Sequence, residues 1–315
     1  MMLRQRFQSF EEYAASLGHR DLSVLALKRA RQPWESARVD LDGVTVRWAR
    51  DGGPCVFDGA IAADVVGLMV CVDATGKLVG NGTVLGPGSV MVVPRAHQIR
   101  VTSLDAVEWI SALIPTSRLV RRAEERGALA NLCGGVIGPP RAIGATFRHV
   151  LIRVATAAMA GAFNVDPRTR KKASQQLVAA ARTLLESSSD PPTVLRPGRP
   201  RVSRVEVIQQ VEQWLDDEAD TKPSLRDLAE AAGVSHRTLH TAFAEQLGVS
   251  PKRFLRLRLL NAVRRELICP HAGVVRVTDV LSRLGVWEWG RFSGEYGALF
   301  GELPSETVRR RLELP

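Results

Sequence analysis

The chain has 315 residues, of which 45% are apolar, and a formal net charge of +10. That length accommodates two domains with separate cores, and the apolar fraction is that of a globular protein rather than a disordered or fibrous one. No apolar run reaches the roughly 20 residues of a membrane span, and Met1 is not followed by a secretory leader pattern, so the expected compartment is the cytoplasm, with no membrane partner.

Charge is unevenly placed along the chain. Residues 1–140 carry 16 Lys/Arg against 14 Asp/Glu, residues 141–200 carry 10 against 3, and residues 201–315 carry 17 against 16. In the last stretch the acids gather at Glu206, Glu212, Asp216, Asp217, Glu218 and Asp220, whereas from 221 onward basic residues lead 15 to 10. A surface sorted in this way suits a polyanionic partner better than the near-neutral sum suggests. Cys55, Cys71, Cys133 and Cys269 are scattered without a CxxC pair, which reads as reduced thiols and not as a disulfide framework or a structural zinc site.

In chain order, Ser9 and Glu12 form a capping box for a short helix through Leu17. From about Asp21 the period changes to two. The runs SVLALKRA, SARVDLDGVTVRWAR, CVFDGAI, VVGLMVCVD, KLVGNGTVL, GSVMVVP and HQIRV are short and β-rich, with turn residues between them. Asp42-Gly43 between two such runs predicts a tight hairpin. This spacing predicts an antiparallel sandwich or barrel over residues 1–140. Chemistry motifs are thin there. His97 is the only histidine between residues 20 and 148, and one imidazole does not hold a catalytic metal; a hydrogen-bonded rim or core residue is the simpler reading. GNGTVLG lacks dinucleotide-site spacing, and Asn81-Gly82-Thr83 matters as a glycosylation sequon only in a secreted chain. With no Gly-x-Ser-x-Gly elbow and no placed Cys-His arrangement, no catalytic residue, metal or cofactor is predicted.

Residues 141–186 turn helical, as IGATFRHVLIRVATAAMAGAF and PRTRKKASQQLVAAARTLLE. Two helices here either cover the sheet or pair two copies of the chain as a homodimer. Residues 187–200, SSSDPPTVLRPGRP, read as a semi-rigid linker. Ser203 and Glu206 then box-cap a helix whose inner face is Ile208, Val211 and Leu215.

The final segment repeats one plan. Gly233 corresponds to Gly285 at an offset of 52; Leu239, Phe243, Leu247, Gly248 and Pro251 correspond to Phe292, Tyr296, Phe300, Gly301 and Pro304 at 53. A steady offset signals one supersecondary unit built twice. In the first copy Ser224 and Asp227 cap a helix, Gly233 turns the chain, and Ser235 caps a second helix buried through Leu239, Ala242, Phe243 and Leu247. Its other face offers His236, Arg237, His240 and Thr241. This is a helix-turn-helix, with side chains able to reach base edges in a major groove. Ser250 and Pro251 start a basic linker helix to about Leu267.

The A-x-x-x-G-V-S turn, the L-x-x-x-F of the first recognition helix, LGVSPKRFLRLR, GRFS-x-x-Y and LFGELPSETVRR resemble the C-terminal domain of AraC/XylS-type transcriptional regulators over residues 201–311. The resemblance implies an α+β chain: a cupin-like, jelly-roll sensor domain with trailing helices, and an all-α domain whose two recognition helices enter neighbouring major grooves of double-stranded DNA. A small-molecule effector and RNA polymerase are the further partners it implies. The expected DNA-binding residues are Ser235, His236, Arg237, His240 and Thr241 in the first unit; Lys252, Arg253 and Arg256 on the linker helix; and Trp289, Arg291 and Ser293 in the second. Val286-Trp287 departs from the family's usual Phe-Ser, and Ser293-Gly294 offers little hydrogen-bonding reach. Trp289 fits either a thymine methyl or the corner of its own motif. The function expected is an effector-responsive transcriptional regulator, an activator by family type. A constitutive regulator whose β domain only dimerises, and a barrel enzyme with a DNA-binding tail, are the alternatives.

Overall fold

The structure, a computed structural model, describes residues 3–17, 23–61, 64–72, 78–86, 88–93, 98–120, 136–137, 141–163, 166–187, 203–218, 223–268 and 276–313. His97, Cys133, Cys269 and linker residues 188–200 lie outside them. The chain divides into two compact units. The first comprises Met1–Val24, Gln32–Gly52 and Val56–Arg201, and the second Leu25–Arg31, Gly53–Cys55 and Val202–Pro315.

The N-terminal region is sheet-rich and antiparallel. After β1 (Gln5–Phe7) and α1 (Phe10–Ser16) come β2 (Ser23–Ala26), β3 (Trp34–Leu41), β4 (Val44–Asp51), β5 (Cys55–Ala60), β6 (Val65–Cys71), β7 (Leu78–Gly80), β8 (Thr83–Val84), β9 (Val90–Val93), β10 (Gln98–Ser103) and β11 (Val107–Pro115). A short helix α2 (Thr116–Leu119) and β12 (Val136–Ile137) follow. Seven strands form one sheet in the order β1-β3-β4-β11-β6-β9-β12, and five form another in the order β2-β5-β10-β7-β8. The expected capping at α1 is present, with Ser9 Oγ accepting from the Glu12 N–H. The β3–β4 hairpin turns through Asp42 (φ 55°) and Gly43 (φ 81°), the left-handed pair that a two-residue turn requires.

The strand at the centre of the larger sheet, β11, was not among the predicted runs. It pairs Ile110 with Trp48 of β4 on one side and with Val70 of β6 on the other, and Ala112 with Val46 and Leu68. VEWISALIP alternates only loosely, and its Trp and Ile neighbours blur the period of two. Against this sheet pack α3 (Arg141–Met159) and α4 (Pro167–Ser187). Their inner faces recur at helical spacing: Phe147, Leu151, Val154 and Ala158 on one, Ala173, Leu177, Ala181 and Leu184 on the other. Covering the sheet is therefore what these faces do. Arg148, embedded in the apolar run, sends Nη2 to the carbonyl of Val72 (2.7 Å), so its charge docks on a strand end.

Two carboxylates of the first unit are buried among the described residues, Glu35 and Asp51, and Asp51 lies deeper. Asp51 is fully buried and accepts hydrogen bonds from Tyr13 Oη (2.5 Å), Trp109 Nε1 (3.1 Å) and the Ser103 hydroxyl. Burial raises its pKa, and the three donors only partly oppose that. A raised folded-state pKa contributes stability that is full below the unfolded value, about 3.9, and is lost as pH climbs through the folded value. Asp51→Asn keeps the shape and removes this titration. The stability of the parent relative to Asp51→Asn is expected to fall as pH rises from about 4; denaturant unfolding at stepped pH checks it, and a difference that is flat or grows with pH contradicts it.

The helical unit contains α5 (Arg204–Asp217), α6 (Leu225–Ala231), α7 (His236–Leu247), α8 (Pro251–Ile268), α9 (Val277–Arg283), α10 (Trp289–Phe300) and α11 (Pro304–Glu313). The capping box of Ser203 and Glu206 opens α5, which buries Val207, Ile208, Val211 and Leu215. Leu25–Arg31 also belongs to this unit, which the sequence reading did not foresee. Asn261 of α8 is buried there, its side chain accepting from the Ala26 N–H (3.0 Å) and donating to the Ala26 carbonyl (3.2 Å). That pairing explains a polar side chain on the inner face of the linker helix.

Candidate nucleic-acid interface

Each helix-turn-helix is built from a left-handed glycine and a locked corner, and in the first copy both helices also open on a serine cap. Ser224 Oγ accepts from the Asp227 N–H while the Asp227 carboxylate accepts from the Ser224 N–H (2.7 Å), opening α6. Hydrogen bonding to the ionised form lowers the Asp227 pKa. At Gly233, φ of +60° reverses the chain, and the Val234 N–H donates to Ala229 O (3.0 Å). The second copy repeats the turn 52 residues on: Gly285 has φ +67°, and the Val286 N–H donates to Leu281 O (2.8 Å). Gly248 and Gly301 end α7 and α10 alike. The repeat read in the sequence is thus a repeat of hydrogen bonds.

The corners differ in chemistry. In the first copy Phe243 meets Phe254 edge to face at 5.1 Å between centroids. The positions 53 residues on are Tyr296 and Thr307, whose hydroxyls lie 2.8 Å apart. Thr307 Oγ1 also donates to Glu302 (2.8 Å), and Arg264 Nη1 of α8 donates to both Glu302 (2.8 Å) and Tyr296 Oη (3.3 Å). The ordering Arg264 to Tyr296 to Thr307 to Glu302 uses each hydroxyl once as donor and once as acceptor. Burial, the largest influence, raises the Tyr296 pKa, so its proton is held. One copy is closed by an apolar lock and the other by a polar one.

The sequence-predicted site residues fall into two groups. Ser235, His236, Arg237 and His240 are exposed at the start of α7. Ser235 caps the helix through the Thr238 N–H, and Thr241 Oγ1 donates to Arg237 O (2.8 Å), so both hydroxyls have local work. Arg237 pairs with no acid among the described residues, and neither do the exposed Lys252 and Arg253 at the start of α8. Arg256 is placed differently. It packs on the Phe292 ring (5.1 Å) and its Nε donates to Glu295 (2.7 Å), holding that carboxylate below its usual range. Arg291 bridges Glu288 (3.4 Å) and the same Glu295 (3.2 Å). The indole N–H of Trp289 donates to Val286 O (3.0 Å), which makes it part of its own corner. Ser293 is half-buried.

Three features escaped the sequence reading. Arg264, on the basic linker helix but given no role from the sequence, is 3% exposed and internally bonded. Glu288 and Glu295 put two acids on the second recognition helix. Trp287, singled out only as a departure from a pattern, is 71% exposed. On α10 itself the two glycines stand in open space: a Cβ added at Gly290 or Gly294 would meet nothing within 4 Å. Mid-helix glycine costs about 0.5–1 kcal/mol relative to alanine. Gly294→Ala should therefore raise the thermal midpoint of the helical unit; a lowered midpoint would contradict the open surroundings.

Taken together, two helix-turn-helix copies joined by one helix define the C-terminal part of this chain as a tandem helix-turn-helix domain. The family model for a helix-turn-helix domain matches residues 228–310. Among curated proteins, the XylDLEGF operon transcriptional activator 3 of Pseudomonas putida is 41% identical over 104 residues, covering 33% of this chain and 31% of that protein. The XylDLEGF operon transcriptional activator 2 of the same organism is 36% identical over 101 residues, 32% of this chain and 64% of that protein. The match thus spans about a third of the length of the first of these relatives. A solved structure of the AraC-like transcriptional activator CuxR aligns over 84% of this chain and 96% of its own, at 13% identity and a TM-score of 0.46. The C-terminal domain is of the AraC/XylS type.

Proposed function

We propose that the chain is a sequence-specific transcriptional regulator that binds double-stranded DNA through both helix-turn-helix copies. The observation that carries this reading is Arg237, unpaired among the described residues at the exposed start of α7, together with the exposed Lys252 and Arg253 at the start of α8. An arginine near the N-terminus of a recognition helix suits guanine in the major groove, and the linker-helix cations suit phosphates. The second copy differs, since Arg256 and Arg291 share Glu295 and the helix face carries glycine. It contributes affinity and shape reading rather than base identity.

The N-terminal region is read as a sensor and dimerisation domain over 1–140, with helices at 141–186 and a linker at 187–200. The chain acts in the cytoplasm as a homodimer without enzymatic activity of its own, responds to a small molecule, and meets RNA polymerase at the promoter. Activation is favoured by the roles of the relatives. Selection of bound duplexes from a random pool tests the core of this reading. Enrichment of one motif is expected; a pool that stays random while binding is saturable would refute sequence recognition.

A further inference from the structure

The two turns match as far as the valine after the left-handed glycine, whose N–H bonds back to the preceding helix in both copies. They then part. After Val234 comes Ser235, the N-cap of α7, whereas after Val286 comes Trp287 and only then Glu288, the N-cap of α10. Trp287 is thus the one residue of the second turn with no counterpart in the first, and it accounts for the change of repeat offset from 52 to 53.

Trp287 is 71% exposed, the highest value among the large apolar side chains described, and it makes no hydrogen bond and no ring contact among the described residues. Trp289, two residues on, closes the corner with its own indole N–H on Val286 O. The fold therefore has a use for one tryptophan and none for the other. An indole offers an apolar face and one neutral donor, and a partner must accept both. A single Trp covers roughly 150–250 Å². That is far less than the roughly 800 Å² per partner of a stable protein interface. What this indole adjoins is the start of α10, the end of a recognition helix that meets a duplex, with the exposed Arg291 one turn on.

We propose that Trp287 lays its ring on a deoxyribose at the lip of the major groove and donates its indole N–H to a neighbouring phosphate oxygen. The proposal rests on the DNA-binding reading and adds to it an uncharged contact. A neutral side chain displaces no counterion, and the sugar is the same in every nucleotide, so the contact carries neither salt dependence nor base preference. The test is titration of the full chain on a selected duplex, on single-base-substituted duplexes and over a salt series. Trp287→Ala should weaken binding by roughly tenfold or more, by a similar factor on every duplex, with the slope of log affinity against log salt unchanged. Trp287→Phe, which keeps a ring but no donor, should recover part of the loss. Both should melt with the parent. If Trp287→Ala melts lower, acrylamide quenching decides: the emission that the parent has and Trp287→Phe lacks should become shielded when duplex is added. Equal affinity of parent and Trp287→Ala, a flattened salt slope, a loss confined to one base pair, or an indole still open to acrylamide on saturating duplex would each overturn the proposal and leave the DNA-binding reading standing. A parent that binds no duplex would overturn both.

Discussion

Arg264→Ala is expected to cost about 3 kcal/mol of stability, the low end for breaking a buried ion pair, because Glu302 keeps a second partner. Arg264 is 3% exposed; its guanidinium lies 4.4 Å from the Phe300 ring centroid and bonds Glu302 and Tyr296. Truncation leaves the Tyr296 hydroxyl without its donor and Glu302 with Arg310 (3.2 Å), at the edge of the network, as its remaining ion-pair partner among the described residues. Arg264→Lys restores the charge but not the planar guanidinium that lies over the Phe300 ring, so it should recover only part of the loss. Chemical unfolding of the three proteins measures this. Equal stability of parent and Arg264→Ala would show that the network contributes nothing and that the apolar corner contacts alone hold the second copy.

Arg237→Ala should lower affinity for the cognate duplex by about 1–3 kcal/mol and relax the preference at one base pair, with no loss of stability. The side chain is exposed and unpaired among the described residues, so nothing in the fold depends on it. Arg291→Ala is the contrast. Arg291 is held between Glu288 and Glu295, and exposed pairs of this kind are worth well under 1 kcal/mol, so the side chain can turn to a phosphate at little cost. Its removal should weaken binding by a similar factor on every sequence and flatten the salt dependence. Titration of both variants across single-base-substituted duplexes decides. A changed base preference in Arg291→Ala and none in Arg237→Ala would reverse the division of labour.

How much of this was legible beforehand follows from what each feature depends on. The helix-turn-helix copies were readable because a cap, a turn glycine and an apolar stripe are local: Ser224, Gly233 and Leu239 each declare themselves within a few residues. The Asp42-Gly43 hairpin was readable for the same reason. The strand β11 was not, since its identity rests on partners far earlier in the chain, such as Val70 and Trp48, 40 and 62 residues before the Ile110 they face. The fate of the basic residues was equally hidden. Lys252 and Arg253 remain exposed, whereas Arg256 and Arg264 on the same helix are claimed by Glu295 and Glu302. Spacing along α8 cannot reveal this, because both acids lie far along the chain and reach α8 only once the second copy has folded against it. A polar pair at the 53-residue equivalents of Phe243 and Phe254 was the available clue, since a buried tyrosine and threonine demand partners.

The central claim is that both copies engage one duplex at once. The linker helix spans Pro251–Ile268, and 18 residues at about 1.5 Å rise make it roughly 27 Å long, which keeps the two recognition helices within neighbouring grooves. Hydroxyl-radical footprinting of the full chain on a selected duplex measures this directly. Two protected blocks about one helical turn apart on a single face are expected. One protected block, unchanged when residues 276–315 are removed, would contradict the account.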